Sequence, residues 1–381
     1  MKKERYYSLD VFRGMTVALM ILVNNPGSWS HMYAPLKHAP WNGWTPTDLV
    51  FPFFLFAVGN ALAFVMPRLR AAGQAVFLKK VTKRFLLIFI IGLLLNWYPF
   101  VRWEDNQLVF KEWENIRIMG VLQRIAVAYF FAALIIYYFK NKGAAVISLL
   151  ILLVYAAVCM YYNADNPPYV FGVEFDKSIL GASHLYRGDV VKPFDPEGLA
   201  SGFTPIVQVI FGYFVGWYIQ FKGKNTTMVK HLLLAGIYLV GVAYLWDIFT
   251  PINKKIWTSS YVLLTTGLAT FVIGIIIWMI EFKNWRGAWS KFFNVFGKNP
   301  LFIFVFSAFL PKTLALIRIP DGLRDDGTQK FLSPLSWFYQ NICKPLFENE
   351  KNSSFLYALI FITFMWLIVY WMDKKKIYVK V

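Results

Sequence analysis

The stretch at residues 258–280, TSSYVLLTTGLATFVIGIIIWMI, contains no acidic or basic side chain. About 20 mainly apolar residues are enough for a helix to cross the hydrocarbon core of a bilayer. The whole chain shares this character, since 58% of its 381 residues are hydrophobic and only 16% are charged. Soluble domains carry about 25% charged residues. The composition therefore excludes a disordered chain and an ordinary soluble domain, and it predicts an all-α polytopic membrane protein.

Nine other apolar runs have lengths suited to membrane helices, so we expect about ten transmembrane helices in a single domain over residues 1–381. A helix satisfies its own backbone hydrogen bonds inside lipid, which makes it the expected form of each run. The ten runs lie at 8–24, 47–66, 79–97, 118–139, 144–162, 202–221, 230–249, 258–280, 292–310 and 355–372. The long polar segments between them lie at 25–46, 98–117, 163–201 and 311–354.

The basic residues cluster in the loops opposite to these long segments. Examples are Lys79, Lys80, Lys83 and Arg84 after the second run, and the lysines at 374–376 after the last. Loops rich in Lys and Arg stay in the cytoplasm, which predicts cytoplasmic termini and extracytoplasmic long loops. The same rule explains the net charge of +18 without a nucleic-acid partner. We therefore expect a multi-pass protein of the cell inner membrane, in contact with the lipid bilayer.

A polar group lies at the extracytoplasmic end of the first two runs. Asn24 closes the first run, His38 follows in LKHAPWNG, and Asp48 begins the second run. Because consecutive runs are antiparallel neighbours, Asn24 and Asp48 lie at one depth with His38 between them. Neutral imidazole can take a proton near neutral pH, and a carboxylate can orient it. We take the three as candidate catalytic residues. The alternatives are a solvated loop histidine and an aspartate that only caps a helix.

Four further residues are candidates for substrate binding. Trp41 and Asn42 belong to the LKHAPWNG motif, Arg124 lies in the outer half of the fourth run, and Asp10 lies in the first. Ionisable residues inside a membrane are costly and usually mark function. The tryptophan could instead belong to an interfacial aromatic belt, and Asp10 could simply pair with Arg13 three residues later. No metal site can be built from the two cysteines of the chain.

Several stretches resemble the heparan-α-glucosaminide N-acetyltransferase family and its bacterial relatives, in the family's order and over nearly the whole chain. They are SLDVFRG at 8–14, VN at 23–24, KHAPWNGWTPTDLVFP at 37–52, GVLQR at 120–124, DPEG at 195–198, PINKKIW at 251–257 and KKKIY at 374–378. Enzymes of this family move an acetyl group from cytoplasmic acetyl-CoA to an amine across the membrane. The resemblance implies the same reaction here, on an amino sugar such as a glucosamine-containing glycan.

The resemblance also implies roles for individual residues. His38 matches the family's catalytic histidine, and Asn24 matches an asparagine beside it. Asn42, Asp48 and Arg124 match other motif positions. Acetyl-CoA is the implied co-substrate, with no metal, and a homodimer is left open.

Basic cytoplasmic residues suit the phosphates of CoA. Arg13 lies at the cytoplasmic end of the first run, Lys83 and Arg84 begin the third, and Lys298 and Asn299 lie in FGKNPL of the ninth. We expect these five to bind the co-substrate. For the basic residues among them, ordinary positive-inside charge is the alternative.

Two other functions fit the same residues. A transporter of a sugar or organic anion would use Arg124 and Asp10 to line its path. A scaffold or sensor would use neither. Transfer of acetyl from acetyl-CoA by the purified protein distinguishes the enzyme from both.

Overall fold

Helices dominate the computed structural model, which describes residues 6–104, 106–163, 170–186, 194–323 and 327–379. The helices are α1 Tyr7–Asn24, α2 Val50–Ala71, α3 Gln74–Trp97, α4 Val121–Tyr161, α5 Val170–Leu180, α6 Phe203–Lys222, α7 Thr226–Asp247, α8 Ser259–Ile277, α9 Ala288–Lys298, α10 Pro300–Leu314, α11 Pro334–Phe338 and α12 Glu350–Lys374. Two small antiparallel hairpins pair β1 Val101–Glu104 with β2 Gln107–Phe110 and β3 Ile319–Leu323 with β4 Gln329–Leu332. The predicted loops at 98–117, 163–201 and 311–354 lie partly outside the described residues.

Seven helical segments of the described residues are long and apolar enough to cross a membrane, or up to eight if one bent pair counts as a span. This confirms the all-α, multi-pass class. It does not confirm ten spans, and it does not address which side the termini occupy. The seven are Tyr7–Asn24, Pro46–Ala71, Val121–Tyr161, Ala200–Lys222, Thr226–Asp247, Ser259–Phe282 and Glu350–Lys374, and the bent pair is Ala288–Lys298 with Pro300–Leu314, at 83°.

Helix α4 accounts for part of the difference between ten predicted runs and seven observed segments, because it covers two of the runs, 118–139 and 144–162. Lys140 has a φ of 55°, so the helix breaks there into two arms. Near the break, the Ile136 carbonyl accepts a hydrogen bond of 2.7 Å from Arg70 at the end of α2. Near the far end, the Tyr155 hydroxyl donates to the Ile256 carbonyl over 2.6 Å.

Helix α3 accounts for another part, because its first half carries four basic residues, Lys79, Lys80, Lys83 and Arg84. These charges lower the apolar character of that half, although the helix has 24 residues. At its far end, Asn96 donates to the Arg117 carbonyl over 2.9 Å. The ninth predicted run is broken at Asn299 between α9 and α10, where Pro300 begins the new helix.

The two ends of the bundle differ in which segments they gather. One end brings together the segments 25–49, 98–104, 106–120, 181–186, 194–202 and 248–258, linked by hydrogen bonds such as Gly43 N to the Ile252 carbonyl at 2.7 Å. The other end carries Glu281, whose side chain is 1% exposed and ion-paired with Lys224 at 3.1 Å and Arg286 at 3.3 Å. Which of the two ends faces the cytoplasm stays a prediction.

Helix α1 is fixed in place by a close contact with α9. A Cβ on Gly14 would lie 1.7 Å from the Phe293 carbonyl oxygen, and one on Gly297 would lie 2.1 Å from the Asp10 carbonyl oxygen. Only hydrogen fits at either position. The Arg13 side chain extends this contact by donating from Nε to the Gly297 carbonyl over 3.0 Å.

Candidate functional site

His38 and Asp48 form a hydrogen-bonded pair at the loop-rich end of the bundle. Asp48 lies in a 3₁₀ turn, Pro46–Leu49, that leads into α2. Its Oδ1 is 2.6 Å from Nδ1 of His38, and its Oδ2 accepts hydrogen bonds of 3.0 Å from the backbone N–H groups of Ala39 and Thr45. The carboxylate side chain is only 1% exposed, while the imidazole is 43% exposed. The aspartate is thus held rigidly, and the histidine remains reachable.

This pairing sets the tautomer of the imidazole. An ionised carboxylate only accepts hydrogen bonds, so Nδ1 of His38 donates to Asp48 and Nε2 keeps its lone pair. Tyr261 of α8 also holds Asp48 in place, because its buried hydroxyl donates to the backbone carbonyl of Asp48 over 2.5 Å. The same orientation of a base by a carboxylate recurs in acyl-transfer enzymes on unrelated folds.

Lys254 approaches the pair from the strap between α7 and α8, residues 248–258. Its Nζ lies 2.9 Å from Nδ1 and 3.3 Å from Nε2 of His38, and 3.4 Å from Oδ1 of Asp48. Asn253 positions the strap, since its Nδ2 donates to Oδ1 of Asn42 over 3.0 Å. Burial lowers the pKa of Lys254 below its ordinary value, although attraction to Asp48 and Glu197 acts in the opposite direction.

A cavity of about 100 Å³ brings an amide and three titratable side chains together at this site, beside the hydroxyl of Thr47. Asn24, at the end of α1, and His38 share it with Glu197 and Lys254. The apolar part of the wall comes mostly from α1, α2 and α4. Asn24 and His38 thus line the same cavity, as the sequence predicted. Asp48 lies behind His38 rather than in the cavity wall.

Glu197 belongs to a charged network on the loop before α6. Its Oε2 is 2.5 Å from Nη2 of Arg117, and Nε of the same guanidinium donates to Oδ2 of Asp195 over 2.8 Å. Burial alone would raise the pKa of Glu197, but Arg117 and Arg124 outweigh it and hold that pKa below its ordinary value. Burial alone would lower the pKa of Arg117, but Asp195 and Glu197 raise it. Glu197 therefore presents an ionised carboxylate to the cavity.

Arg124 lies behind this network and outside the cavity wall. It is 1% exposed and donates from Nη2 to the Gly198 carbonyl over 2.9 Å and to Oγ of Ser201 over 2.5 Å. Its guanidinium carbon is 5.3 Å from the centroid of the buried Trp257 ring. Among the described residues, Nε and Nη1 have no hydrogen-bond partner. Its contacts thus orient the loop that carries Glu197, and substrate contact stays a prediction.

Trp41 and Asn42 flank the site rather than line the cavity with His38. Trp41 packs on Phe194, with ring centroids 5.6 Å apart. Asn42 lines a neighbouring cavity of about 220 Å³ together with Thr250 and Thr258. Both residues therefore lie within the loop cluster, and their predicted role in substrate binding is untested.

A second cavity, of about 250 Å³, lies at the opposite end of α1. Its wall includes Asp10, Arg13 and the buried Asn60 of α2. Arg13 and Asp10 form an ion pair there, and Nδ2 of Asn60 donates to the Gly212 carbonyl over 3.0 Å. Among the described residues, Oδ1 of Asn60 has no partner. The cavity thus combines a guanidinium with an unused amide acceptor.

The other residues predicted to bind the co-substrate do not line this second cavity. Lys83 is exposed on α3, and Arg84 lies 4.7 Å from the centroid of the Tyr129 ring. Lys298 is ion-paired with Asp373 at 2.7 Å. Asn299 is buried and bound through both ends of its amide, to the Ile377 carbonyl at 3.0 Å and the Val379 N–H at 2.9 Å. In this structure Lys298 and Asn299 join the α9–α10 break to the C-terminal segment.

Lys254 and Glu197 are the two site residues that residue-by-residue inference missed. Lys254 lies 216 positions from His38 in the chain, too far for any local pattern to connect them. One signal was available: both belong to stretches that carry the family resemblance, 195–198 and 251–257.

The sequence of this chain is similar to that of one family of known proteins. Residues 5–186 match the family model described as heparan-alpha-glucosaminide N-acetyltransferase, catalytic. The chain is 25% identical to heparan-alpha-glucosaminide N-acetyltransferase of Homo sapiens and 24% identical to that of Mus musculus. Each alignment covers 99% of this chain, and the chain spans 60% and 61% of the length of these relatives. The matched region contains Asn24, His38, Asp48 and Arg124.

Proposed function

This chain belongs to the heparan-alpha-glucosaminide N-acetyltransferase family, and from that premise we propose that it is a transmembrane N-acetyltransferase. The donor is acetyl-CoA from the cytoplasm, and the acceptor is a primary amine on the extracytoplasmic side. An amino sugar, such as a glucosamine unit of a glycan, is the acceptor class that the relatives' name suggests. The hydrogen-bonded pair of His38 and Asp48 beside a polar cavity is the observation that carries the proposal.

The chemistry follows from the geometry of the imidazole. Nε2 of His38 takes a proton from the acceptor amine as its nitrogen attacks the thioester carbonyl. Asn24 lines the same cavity, so its amide can donate to the oxyanion of the tetrahedral intermediate. When the intermediate collapses, the carbon–sulfur bond breaks, and the CoA thiolate recovers the proton from the imidazolium. Asp48 stabilises the imidazolium that forms in between.

The donor route in this proposal follows α1. We call the cavity of about 250 Å³ at Arg13 the inner cavity and the cavity of about 100 Å³ at His38 the outer cavity. Asn24 lines the outer cavity and lies eleven residues after Arg13 on the same helix. At 1.5 Å per residue the two are separated by about 16 Å along the helix axis. An extended pantetheine arm is about this long. The phosphates of CoA would therefore lie near Arg13 while the acetyl group reaches His38.

In this proposal the chain crosses the cell inner membrane ten times. Both termini lie in the cytoplasm. The two arms of α4 and the end-to-end course of α3 support this count, because each runs between the same two ends of the bundle. A cysteine placed at Ser183 should then react with an impermeant thiol reagent added outside intact cells. One placed at Gly223 should not. The reverse pattern would invert the topology and remove the cross-membrane reaction.

One experiment tests the activity itself. The purified protein is incubated with labelled acetyl-CoA and a panel of amino sugars, each paired with its N-acetylated form. We expect label to appear on the free amino sugars and not on the N-acetylated ones. No transfer to any amine, together with sugar counterflow in proteoliposomes that lack acetyl-CoA, would instead identify a transporter.

A further inference from the structure

The ammonium of Lys254 lies over the imidazole ring of His38 rather than in line with one of its nitrogens. Its Nζ is 2.9 Å from Nδ1 and 3.3 Å from Nε2. A group in line with the Nε2 lone pair would be much farther from Nδ1, which lies across the ring. The Nε2 lone pair therefore stays open to an acceptor, and the lysine places a charge close to the ring without blocking it.

We propose that Lys254 is a positioning residue that acts through His38: its charge offsets the carboxylates around the imidazole and keeps the ring in the neutral form that can act as a base. The inference rests on the proposed function in taking His38 to be that base. Asp48 by itself favours the protonated ring, because an opposite charge 2.6 Å away stabilises the charged form. A like charge at 2.9 Å acts in the opposite direction.

The charged groups around this cavity balance when the imidazole is neutral. Among the described residues, three carboxylates face three cationic groups, and these are Asp48, Asp195 and Glu197 against Lys254, Arg117 and Arg124. The next groups outward, Asp176 and Lys255, add one charge of each sign at neutral pH. Without Lys254 one negative charge would be in excess, and a proton on His38 would restore the balance.

Two carboxylates hold the charge on Lys254, and the strap holds its position. Burial lowers the pKa of Lys254, but Asp48 at 3.4 Å and Glu197 in the same cavity favour the charged form. The strap is fixed where Nδ2 of Asn253 donates to Oδ1 of Asn42 over 3.0 Å. A charge fixed this close, in a cavity partly shielded from solvent, acts more strongly on the ring than the same charge would in water.

The protonation of His38 can be followed without catalysis, through its reaction with diethylpyrocarbonate, which attacks only the neutral imidazole. The ring is 43% exposed and so accessible to the reagent. The purified full-length protein is treated over a series of pH values, and mass spectrometry of its peptides gives the rate at His38. In Lys254→Met the midpoint of this rate against pH should move upward by about 1–2 units. A change in exposure alone would alter the rate at every pH and leave the midpoint in place.

Two variants and one internal reference make this result specific. Lys254→Arg keeps a permanent charge, so its midpoint should stay within about half a unit of the wild-type value. Lys177→Met removes a lysine that pairs with Glu174 at 3.1 Å on α5, and it should behave as wild type. His31 is 45% exposed and pairs with Glu350 at 3.1 Å, and its midpoint, read from the same digests, should not move in any variant. Binding of CoA by each variant shows that it is folded.

The same shift should appear in acetyl transfer. The ratio of kcat/KM between Lys254→Met and the wild-type protein cancels the ionisation of the acceptor, because both proteins meet the same amine. At acidic pH this ratio should fall roughly 10- to 100-fold, since fewer molecules hold a neutral His38. At alkaline pH, where the ring is neutral in both proteins, the ratio should recover. A role of Lys254 in folding alone would lower the ratio equally at every pH.

The proposal is wrong if the His38 midpoint is the same in Lys254→Met as in the wild-type protein. It is also wrong if Lys254→Arg moves the midpoint as far as Lys254→Met does, because the charge would then not be the cause. A failure of the proposed function looks different: the midpoint would move as expected, and yet the wild-type protein would transfer acetyl to no amine.

Discussion

The two cavities along α1 are built in different ways. The outer cavity, of about 100 Å³, takes Asn24, His38, Glu197 and Lys254 from four separate segments of the chain. The inner cavity, of about 250 Å³, takes Asp10 and Arg13 from α1 and Asn60 from α2. Loops that hold one another by hydrogen bonds fix the outer side chains, whereas helix packing fixes the inner ones. The outer cavity therefore suits chemistry that needs exact proton geometry, and the inner one suits binding.

The largest expected effect falls on the outer cavity. His38→Ala should lower acetyl transfer by ~10²–10⁴-fold, because it removes the general base. Binding of CoA, measured by calorimetry, should stay near the wild-type value, because the inner cavity is unchanged. His31→Ala is the matched control, since His31 lies in the same loop and pairs with Glu350 at 3.1 Å. Near-normal turnover of His38→Ala would remove the histidine from the mechanism.

Asn24→Ala should have the next largest effect. Loss of an oxyanion donor commonly lowers kcat by ~10²–10³-fold. The KM for both substrates should change little, because the amide acts mainly on the transition state. The neighbouring Asn25→Ala provides the control, since the Asn25 amide donates to the Ile21 carbonyl of α1 at 2.8 Å. Equal losses in the two variants would point to the end of α1 as a structural element rather than to the Asn24 amide.

A smaller and different effect is expected at the inner cavity. Arg13→Gln should raise the KM for acetyl-CoA about tenfold while leaving the KM for the amine unchanged, since a charge near a phosphate acts mainly on binding. Arg13→Lys, which keeps the charge, should recover part of the loss. Lys291→Gln serves as the control on the same end of the bundle, where Lys291 lies 5.5 Å from the centroid of the Tyr370 ring.

Lys83 and Arg84 provide a contrast with Arg13. If the five predicted residues bind CoA together, neutralising Lys83 and Arg84 should also raise the KM for acetyl-CoA more than that for the amine. Their position outside the inner cavity leads us to expect a smaller change than at Arg13. Kinetics with both substrates varied would show whether Lys83 and Arg84 contribute to CoA binding. If neither KM changes, these two residues only set the orientation of the chain in the membrane.

The smallest effect concerns the stability of the outer end. Burial raises the pKa of Asp176 from 3.8 to about 6, although its Oδ1 accepts a hydrogen bond from Ala200 N at 2.9 Å. The folded state holds this proton more tightly than the unfolded state, so stability falls as the pH rises from 3.8 to about 6 and then levels off. Asp176→Asn should therefore stabilise the protein by about 1–3 kcal/mol at neutral pH and by little at acidic pH. Thermal unfolding in detergent across this range would show it, and a benefit independent of pH would contradict it.

The sequence predicted the parts of the site around the outer cavity that are local in the chain. Asn24, His38 and Asp48 lie within one helix end and the next helix start, so antiparallel packing was enough to bring them together. Lys254 and Glu197 come from distant loops, and their approach depends on how the strap after α7 and the loop before α6 pack. No pattern within either loop specifies that packing.

At the inner end the sequence predicted the charge of the residues but not their partners. Asp10 and Arg13 form the predicted ion pair. The notable difference concerns Lys298 and Asn299, whose contacts with Asp373, Ile377 and Val379 come from the last residues of the chain. The helical runs were predicted closely, yet their division into spans depends on Lys140 and on the charges of α3, which composition alone does not resolve.

The spacing of residues along α1 has a consequence for how the sequence of this protein can vary. Leu9, Phe12 and Arg13 line the inner cavity, and Met20, Val23 and Asn24, each eleven positions later, line the outer one. Eleven residues make just over three helical turns, so both sets project in nearly the same direction from the helix axis. Inserting one residue after Thr16 would rotate the second set by about 100° relative to the first. The contact between Gly14 and Gly297 fixes the N-terminal half of α1 against α9. We therefore expect α1 to tolerate insertions or deletions only when they add or remove whole helical turns.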